Sequence, residues 1–241
     1  KSVTNHDAKL LVGMGGLQFC NAAELLKHTW TGWPAKDQQA FGHMLQEVLY
    51  PVIQEFFPRA NGNWDASMIQ TMMAMGVFLD DQAMFQRGVD YYRQGKGNGC
   101  LTNYLKPSGQ CQESGRDQHH TQMGLGYLGV AAEIAWKQGI GLYSVAGNRL
   151  AAGYEYNSKY NLGHEVPFER FVSVGEKYDH TKISEVGRGC QCPVHEIVYR
   201  HYHGRQALPM EFTGQMLKKT RPENPVSTHT PWASLMFAEV P

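Results

Sequence analysis

Apolar residues recur at three-and-four spacing along most of the chain, the period of an amphipathic helix. Leu17, Ala22, Leu25 and Leu26 share one face of a first helix. Phe41, Leu45, Val48, Leu49, Ile53, Phe56 and Phe57 continue the pattern, with Pro51 predicting a kink or break. Met68, Met72, Met75 and Phe78 make a third stripe, which reads as core rather than as a cofactor box. "DDQAMFQRGVDYYRQG" follows, with Asp80 or Asp81 as cap and Gly95 as stop. "TQMGLGYLGVAAEIAWKQG" and "NRLAAGYEYNSKYNLG" are two further helices, and the glycines of the former imply close packing. "PVHEIVYRHYHG" and "LPMEFTGQMLKK" complete the set. The stretch after Gly163, residues 164–193, reads as loop with short strands, and the tail is Pro-rich and then apolar. Helices joined by loops from end to end predict an all-α fold of antiparallel helical hairpins, closed into a ring or partial ring.

Charge removes some functions and cysteine narrows others. Lys plus Arg (22) balances Asp plus Glu (22), so no global field draws the chain to nucleic acid or an anionic membrane. No apolar run reaches the ~20 residues of a membrane span. Of five cysteines, Cys100 and Cys111 bracket a loop that a disulfide could close. Cys20 reads as a small core residue, and Cys190 and Cys192 form CxC. The spacings predict no structural zinc site.

Polar side chains gather at three helix edges. "NGNWDAS", Asn61 to Ser67, reads most simply as an N-cap. "CQESGRDQHHTQ", Cys111 to Gln122, reads as a capped helix start, or as an ion-pair network of Glu113, Arg116 and Asp117. In "NRLAAGYEYNSKY", Arg149 and Tyr156 are seven apart and so face the same way. Glu155 and Lys159 read as a surface i,i+4 pair, and Tyr154 and Tyr160 as packing residues.

An Asn, a His, an Arg and a Tyr together suit proton abstraction beside a carboxylate. In a uronic acid polymer the C5 proton becomes acidic once the C6 carboxylate is neutralised. A base removes that proton and an acid protonates the leaving O4. Tyr can do both if an adjacent cation lowers its pKa, and His is the alternative base.

The segments "AKLLVGMGGLQFCNAAELL", "NGNWDASMIQTMMAMGVFLDD", "GNGCLTNYL", "CQESGRDQHHTQMGLGYLGVAAEIAWKQG", "NRLAAGYEYNSKYNLG", "SEVGRG" and "VHEIVYRHY" stand in this order. Through them the chain resembles the alginate lyase superfamily of polysaccharide lyases, the (α/α) toroid type that cleaves alginate or polyglucuronate. The resemblance implies one toroid domain over residues 1–241, with further family helices before Lys1. It implies Asn63 as carboxylate neutraliser, His120 as second neutraliser or base, and Arg149 and Tyr156 as the family's Arg and catalytic Tyr. Gln112, Glu113, Arg116, His119 and Arg188 would line or brace the cleft. The expected partner is an anionic polysaccharide, with no nucleic acid, membrane, metal or cofactor, in a secreted or periplasmic setting. Two other readings stand beside this one. A toroid hydrolase would use paired carboxylates among Asp65, Glu113 and Asp117. A non-catalytic polyanion binder would use Arg116, Arg149, Lys159 and Arg188.

Overall fold

A computed structural model describes residues 5–223, 228–229 and 233–237. Among the described residues the fold is all-α apart from one small hairpin. In order come α1 (Ala8–Thr29), α2 (Ala35–Met44), α3 (Tyr50–Ile53), α4 (Gly62–Phe78), α5 (Gln82–Gln94), α6 (Leu101–Tyr104), α7 (Gln118–Lys137) and α8 (Val145–Asn161). Strands β1 (Phe171–Val172) and β2 (Asp179–His180) pair antiparallel, Phe171 opposite His180. Then follow α9 (His195–Tyr199), α10 (Glu211–Thr220) and α11 (Ala233–Phe237).

Helix α4 is the axis of the packing. It is flanked by α1, α5 and α7, and all of it is buried except Trp64 and Val77. A helix apolar on nearly every side has neighbours on every side. Met68, Met72, Met75 and Phe78 sit in the core, as their spacing predicts. Two of its polar residues, Gln70 and Thr71, face α1. Gln70 Nε2 and Thr71 Oγ1 both donate to the Gly13 carbonyl, at 3.2 and 2.6 Å. Gly13 and Gly16 permit this approach, because a Cβ on either would collide with Ser67 or Thr71. On the far side of α1, Leu25 and Leu26 are exposed rather than buried, and Leu17, Cys20 and Ala23 carry the packed face.

Pro51 does not end its helix. Helical backbone runs on from α2 through a π-helical turn over Leu45–Leu49 into α3, and that widened turn directly before Pro51 accommodates its ring and missing N–H. Asp81 caps α5 by accepting from the Met84 N–H at 2.9 Å, and the helix stops at Gly95. Among the close-packed glycines of α7, Gly124 lies on the Tyr104 ring. No disulfide forms: Cys100 and Cys111 are both free and buried. Burial pushes the Cys20 thiol up to about 12, which suits a packing role.

Glu155 and Lys159 do not pair with each other. Glu155 turns to the start of α10 and accepts from the Phe212 and Thr213 N–H groups and the Thr213 hydroxyl, at 3.1, 2.8 and 2.7 Å. Lys159 lies over the Phe212 ring. A carboxylate is favourable at the positive end of a helix, and this one also satisfies three donors. Glu155→Leu should therefore lower unfolding free energy by about 1–3 kcal/mol. Lys159→Met should cost under about 1 kcal/mol. Chemical denaturation of the two variants separates this cap from a surface ion pair, which would make the losses equal.

Candidate active site

The α4 N-terminus is capped from fifty residues away. Asn61 makes no side-chain cap bond to its own helix. Instead the Gly62 N–H donates to Gln112 Oε1 at 2.9 Å, and the Asn63 N–H donates to Glu113 Oε2 at 3.1 Å. Gln112 Nε2 holds Asn61 Oδ1 at 3.0 Å. Asp65, buried one turn in, accepts from the Phe57 N–H and the Tyr91 hydroxyl at 2.7 and 2.6 Å.

Glu113 is fully buried and begins a chain of polar contacts that ends at solvent. Besides the Asn63 N–H it accepts from the Tyr104 hydroxyl at 2.9 Å and from Arg116 Nη1 at 2.8 Å. Burial pushes its carboxyl up to about 7, against the pull of Arg116, Tyr104 and the Asn63 N–H. The other arm of Arg116, Nη2, lies 3.0 Å from His120 Nε2. His120 Nδ1 lies 2.6 Å from Asp117 Oδ2, while Asp117 Oδ1 accepts the His120 backbone N–H at 2.8 Å. A guanidinium has no acceptor, so Nε2 accepts and the ring proton sits on Nδ1, facing Asp117. Burial raises the Asp117 carboxyl, but the bonds from His120 and the Arg116 charge outweigh it and hold it below the usual range. Asp117 is thus both helix cap and imidazole orienter. The side chains of Arg116 and His120 each keep about a third of their surface open (32%).

The β1–β2 hairpin covers this chain of contacts. His180 packs on Gly115, with its Nε2 buried and unpartnered. Burial and the Arg116 charge lower its pKa below the ordinary histidine value, against the pull of Asp179. Sequence reading missed His180, because a single His in a loop carries no spacing signal.

Asn63 is enclosed. Its Oδ1 has no partner and its Nδ2 touches only the Met123 sulfur, at 3.5 Å. Through Glu113 and Arg116 it connects to His120. Arg149 and Tyr156 belong to a second group. Residues 146–148 of α8 have left-handed φ, so regular helix begins at Arg149, and Arg149 and Tyr156 lie two turns apart on it. Arg149 Nη1 donates to the Leu105 carbonyl at 2.9 Å. Tyr156 packs beside Gly109 and donates its hydroxyl to the Pro167 carbonyl at 2.7 Å. Both flank the turn from Leu105 to Cys111, which pair as a β-bridge. Among the described residues no hydrogen bond joins this pair to Asn63 or His120. Contrary to the sequence expectation, no cation lowers the Tyr156 pKa. Burial raises it, with Cys111, Tyr160 and Glu169 adding to the rise.

Gln118 ties the pieces together. Its Oε1 accepts from Asn157 and Asn161 of α8, at 3.2 and 3.1 Å. Its Nε2 donates to the Ser114 and Ser184 carbonyls, at 3.3 and 2.9 Å. Arg188 Nε donates to the Tyr160 carbonyl, its Nη2 reaches Glu165 at 3.0 Å, and the guanidinium lies over the Tyr160 ring. It braces the wall and does not join the Arg116 group. His119 turns away from His120: its ring lies on Gly187 and faces Cys190 and Cys192, a grouping invisible to spacing rules. Bonds from Cys190 and His119 hold the Cys192 thiol below its ordinary value. A groove of about 740 Å³ along α5, lined by Phe56, Pro58, Tyr91 and Lys96 among others, shares no residue with either group.

Comparison with known proteins fixes the family. A family model described as "Alginate lyase" matches residues 5–167. The chain belongs to the alginate lyase family. No curated protein sequence matches it. Among solved structures it is similar to an alginate lyase from Bacteroides ovatus, with TM-score 0.58 and 13% identity. That match covers 92% of this chain, which spans only 55% of the Bacteroides chain. At that identity the likeness speaks for the shared all-α toroid fold alone.

The hydrolase and binder readings fare poorly in this family member. Asp65 and Glu113 are buried and fully bonded, so neither can reach a glycosidic oxygen. Arg116, Arg149, Lys159 and Arg188 are each already engaged by a separate partner.

Glu113 links stability to pH. Its folded value lies above the ordinary 4.5, so its contribution is complete below about 4.5 and is lost as pH rises through about 7. Wild-type denaturation midpoints should fall across that window, and Glu113→Gln should flatten the fall. A variant with an unchanged pH slope would mean that Glu113 is ionised throughout.

Proposed function

We propose that the protein is a polysaccharide lyase that cleaves a polyuronate, alginate or glucuronan, by β-elimination. The observation that carries this reading is the His120 imidazole. It is held with its proton on the Asp117 side and its Nε2 lone pair toward the partly exposed guanidinium of Arg116. A base poised beside a cation is what removal of a proton α to a carboxylate needs.

A uronate carboxylate entering beside Arg116 competes for Nη2, while Nη1 stays on Glu113. Arg116 then neutralises the C6 carboxylate and frees His120 Nε2. The imidazole takes the C5 proton, the electron pair passes into the carboxylate as an enolate-like charge, and then returns to form the C4–C5 double bond. The C4–O4 bond breaks and O4 takes a proton. Tyr156 is the proposed donor, because a phenol whose pKa is raised keeps its proton until a leaving oxygen demands it. Delivery requires its hydroxyl to rotate off the Pro167 carbonyl. Arg149 holds the 105–111 turn on which Tyr156 rests. Asn63 acts from behind, keeping Glu113 and hence Arg116 in place. His180 and Gln112 shape the same wall. A polymer too large to cross a membrane favours a secreted or periplasmic enzyme; among the described residues no helix is long and apolar enough to span a bilayer.

The test is to incubate the protein separately with alginate and polyglucuronate and follow the ultraviolet absorbance of an unsaturated uronate. His120→Ala and Tyr156→Phe should each lower kcat by roughly 100-fold or more, the usual loss when a general acid or base is removed. Arg116→Ala should raise KM and lower kcat together. New reducing ends without the absorbance would make the enzyme a hydrolase, and activity surviving in His120→Ala would remove the imidazole from the reaction.

A further inference from the structure

We propose that His119, Cys190 and Cys192 form a zinc-binding site beside the His120 network. The three residues come from two distant parts of the chain, the first turn of α7 and the CxC segment before α9. Their ligating atoms lie within 4.8 Å of one another. Around a tetrahedral zinc, with Zn–S about 2.3 Å and Zn–N about 2.0 Å, donor atoms stand roughly 3.5–3.8 Å apart. Each donor therefore needs to move by less than about 1 Å.

The surroundings are built to hold these groups rather than to bury them. Gln122, fully buried on α7, grips the CxC backbone from both sides: its Nε2 donates to the Cys190 carbonyl at 2.9 Å and its Oε1 accepts the Cys192 N–H at 2.9 Å. The same Nε2 lies 3.1 Å from Cys190 Sγ. Hydrogen bonds from an amide to a metal-bound sulfur are the outer-shell contacts that tune a thiolate site. Gly187 has φ +71°, and a side chain there would strike the His119 ring. Asn161 Oδ1 accepts the Gly189 N–H at 2.9 Å and pins the approach to the CxC from a third element.

Two sulfurs and an imidazole select a borderline-soft cation. Binding releases the two thiol protons to solvent, and two thiolates with a neutral imidazole leave zinc uncharged overall. Three protein ligands leave a fourth position for water. The metal would clamp residue 119 to the 190–192 segment and so fix the helix turn that carries His120. This assignment does not depend on the lyase reading.

The test uses the whole chain, reduced with a phosphine and stripped of metal, then titrated with Zn²⁺ against a chromophoric chelator and with Co²⁺ by absorbance. The expected result is one metal per chain, thiolate-to-cobalt charge-transfer absorption and a higher melting temperature with zinc. Cys192→Ser and His119→Ala should each weaken zinc binding by more than tenfold, and Gln122→Leu by roughly 10–100-fold. His119 is exposed and Cys→Ser is nearly isosteric, so these two variants should fold; circular dichroism checks that. Substoichiometric uptake by the reduced wild type, absence of the cobalt–thiolate band, or unchanged affinity in Cys192→Ser and His119→Ala would overturn the site. So would a Cys190–Cys192 disulfide that resists the reductant.

Discussion

The bond between Glu113 and the first turn of α4 organises the molecule. Helix α4 is the most enclosed element, and a buried helix start with unsatisfied N–H groups is costly. Gln112 and Glu113 remove that cost from a segment fifty residues further along. The loop carrying them must then lie against α4, and with it come Arg116, Asp117 and the start of α7. The proposed base stands where it does because a helix in the core needs acceptors.

Much of this could be read from the chain, and the limits have physical causes. The Met stripe of α4 and the Asp81 cap follow from local rules, since each depends on neighbours within one or two turns. Leu25 and Leu26 obey the same period and are nevertheless exposed, because the pattern gives the apolar face and not what covers it. Glu155 has a lysine at the favoured spacing and turns instead to α10, where three donors outbid one solvated cation. Cys100 and Cys111 bracket a loop and are both free, since proximity in sequence says little about Cβ geometry.

The site divides along the same line. Asp117 as cap and the Glu113–Arg116–Asp117 network lie within one short segment and were legible. That Arg149 and Tyr156 bond to Leu105 and Pro167 instead of to Asn63 or His120 was not, since it depends on how the 105–111 turn packs on α8. His180 and the convergence of His119 on the CxC arise from loops folding back over α7, and no spacing rule covers contacts sixty or seventy residues apart.

Gln118 carries a consequence of its own. Its amide gives two protons to carbonyls and receives two from asparagines, so each end has a fixed polarity. Deamidation would barely alter its shape. It would nonetheless set a negative oxygen against the Ser114 and Ser184 carbonyls, turning two attractions into repulsions. The chemical ageing of one side chain could thus spread three segments of the wall apart without a single clash.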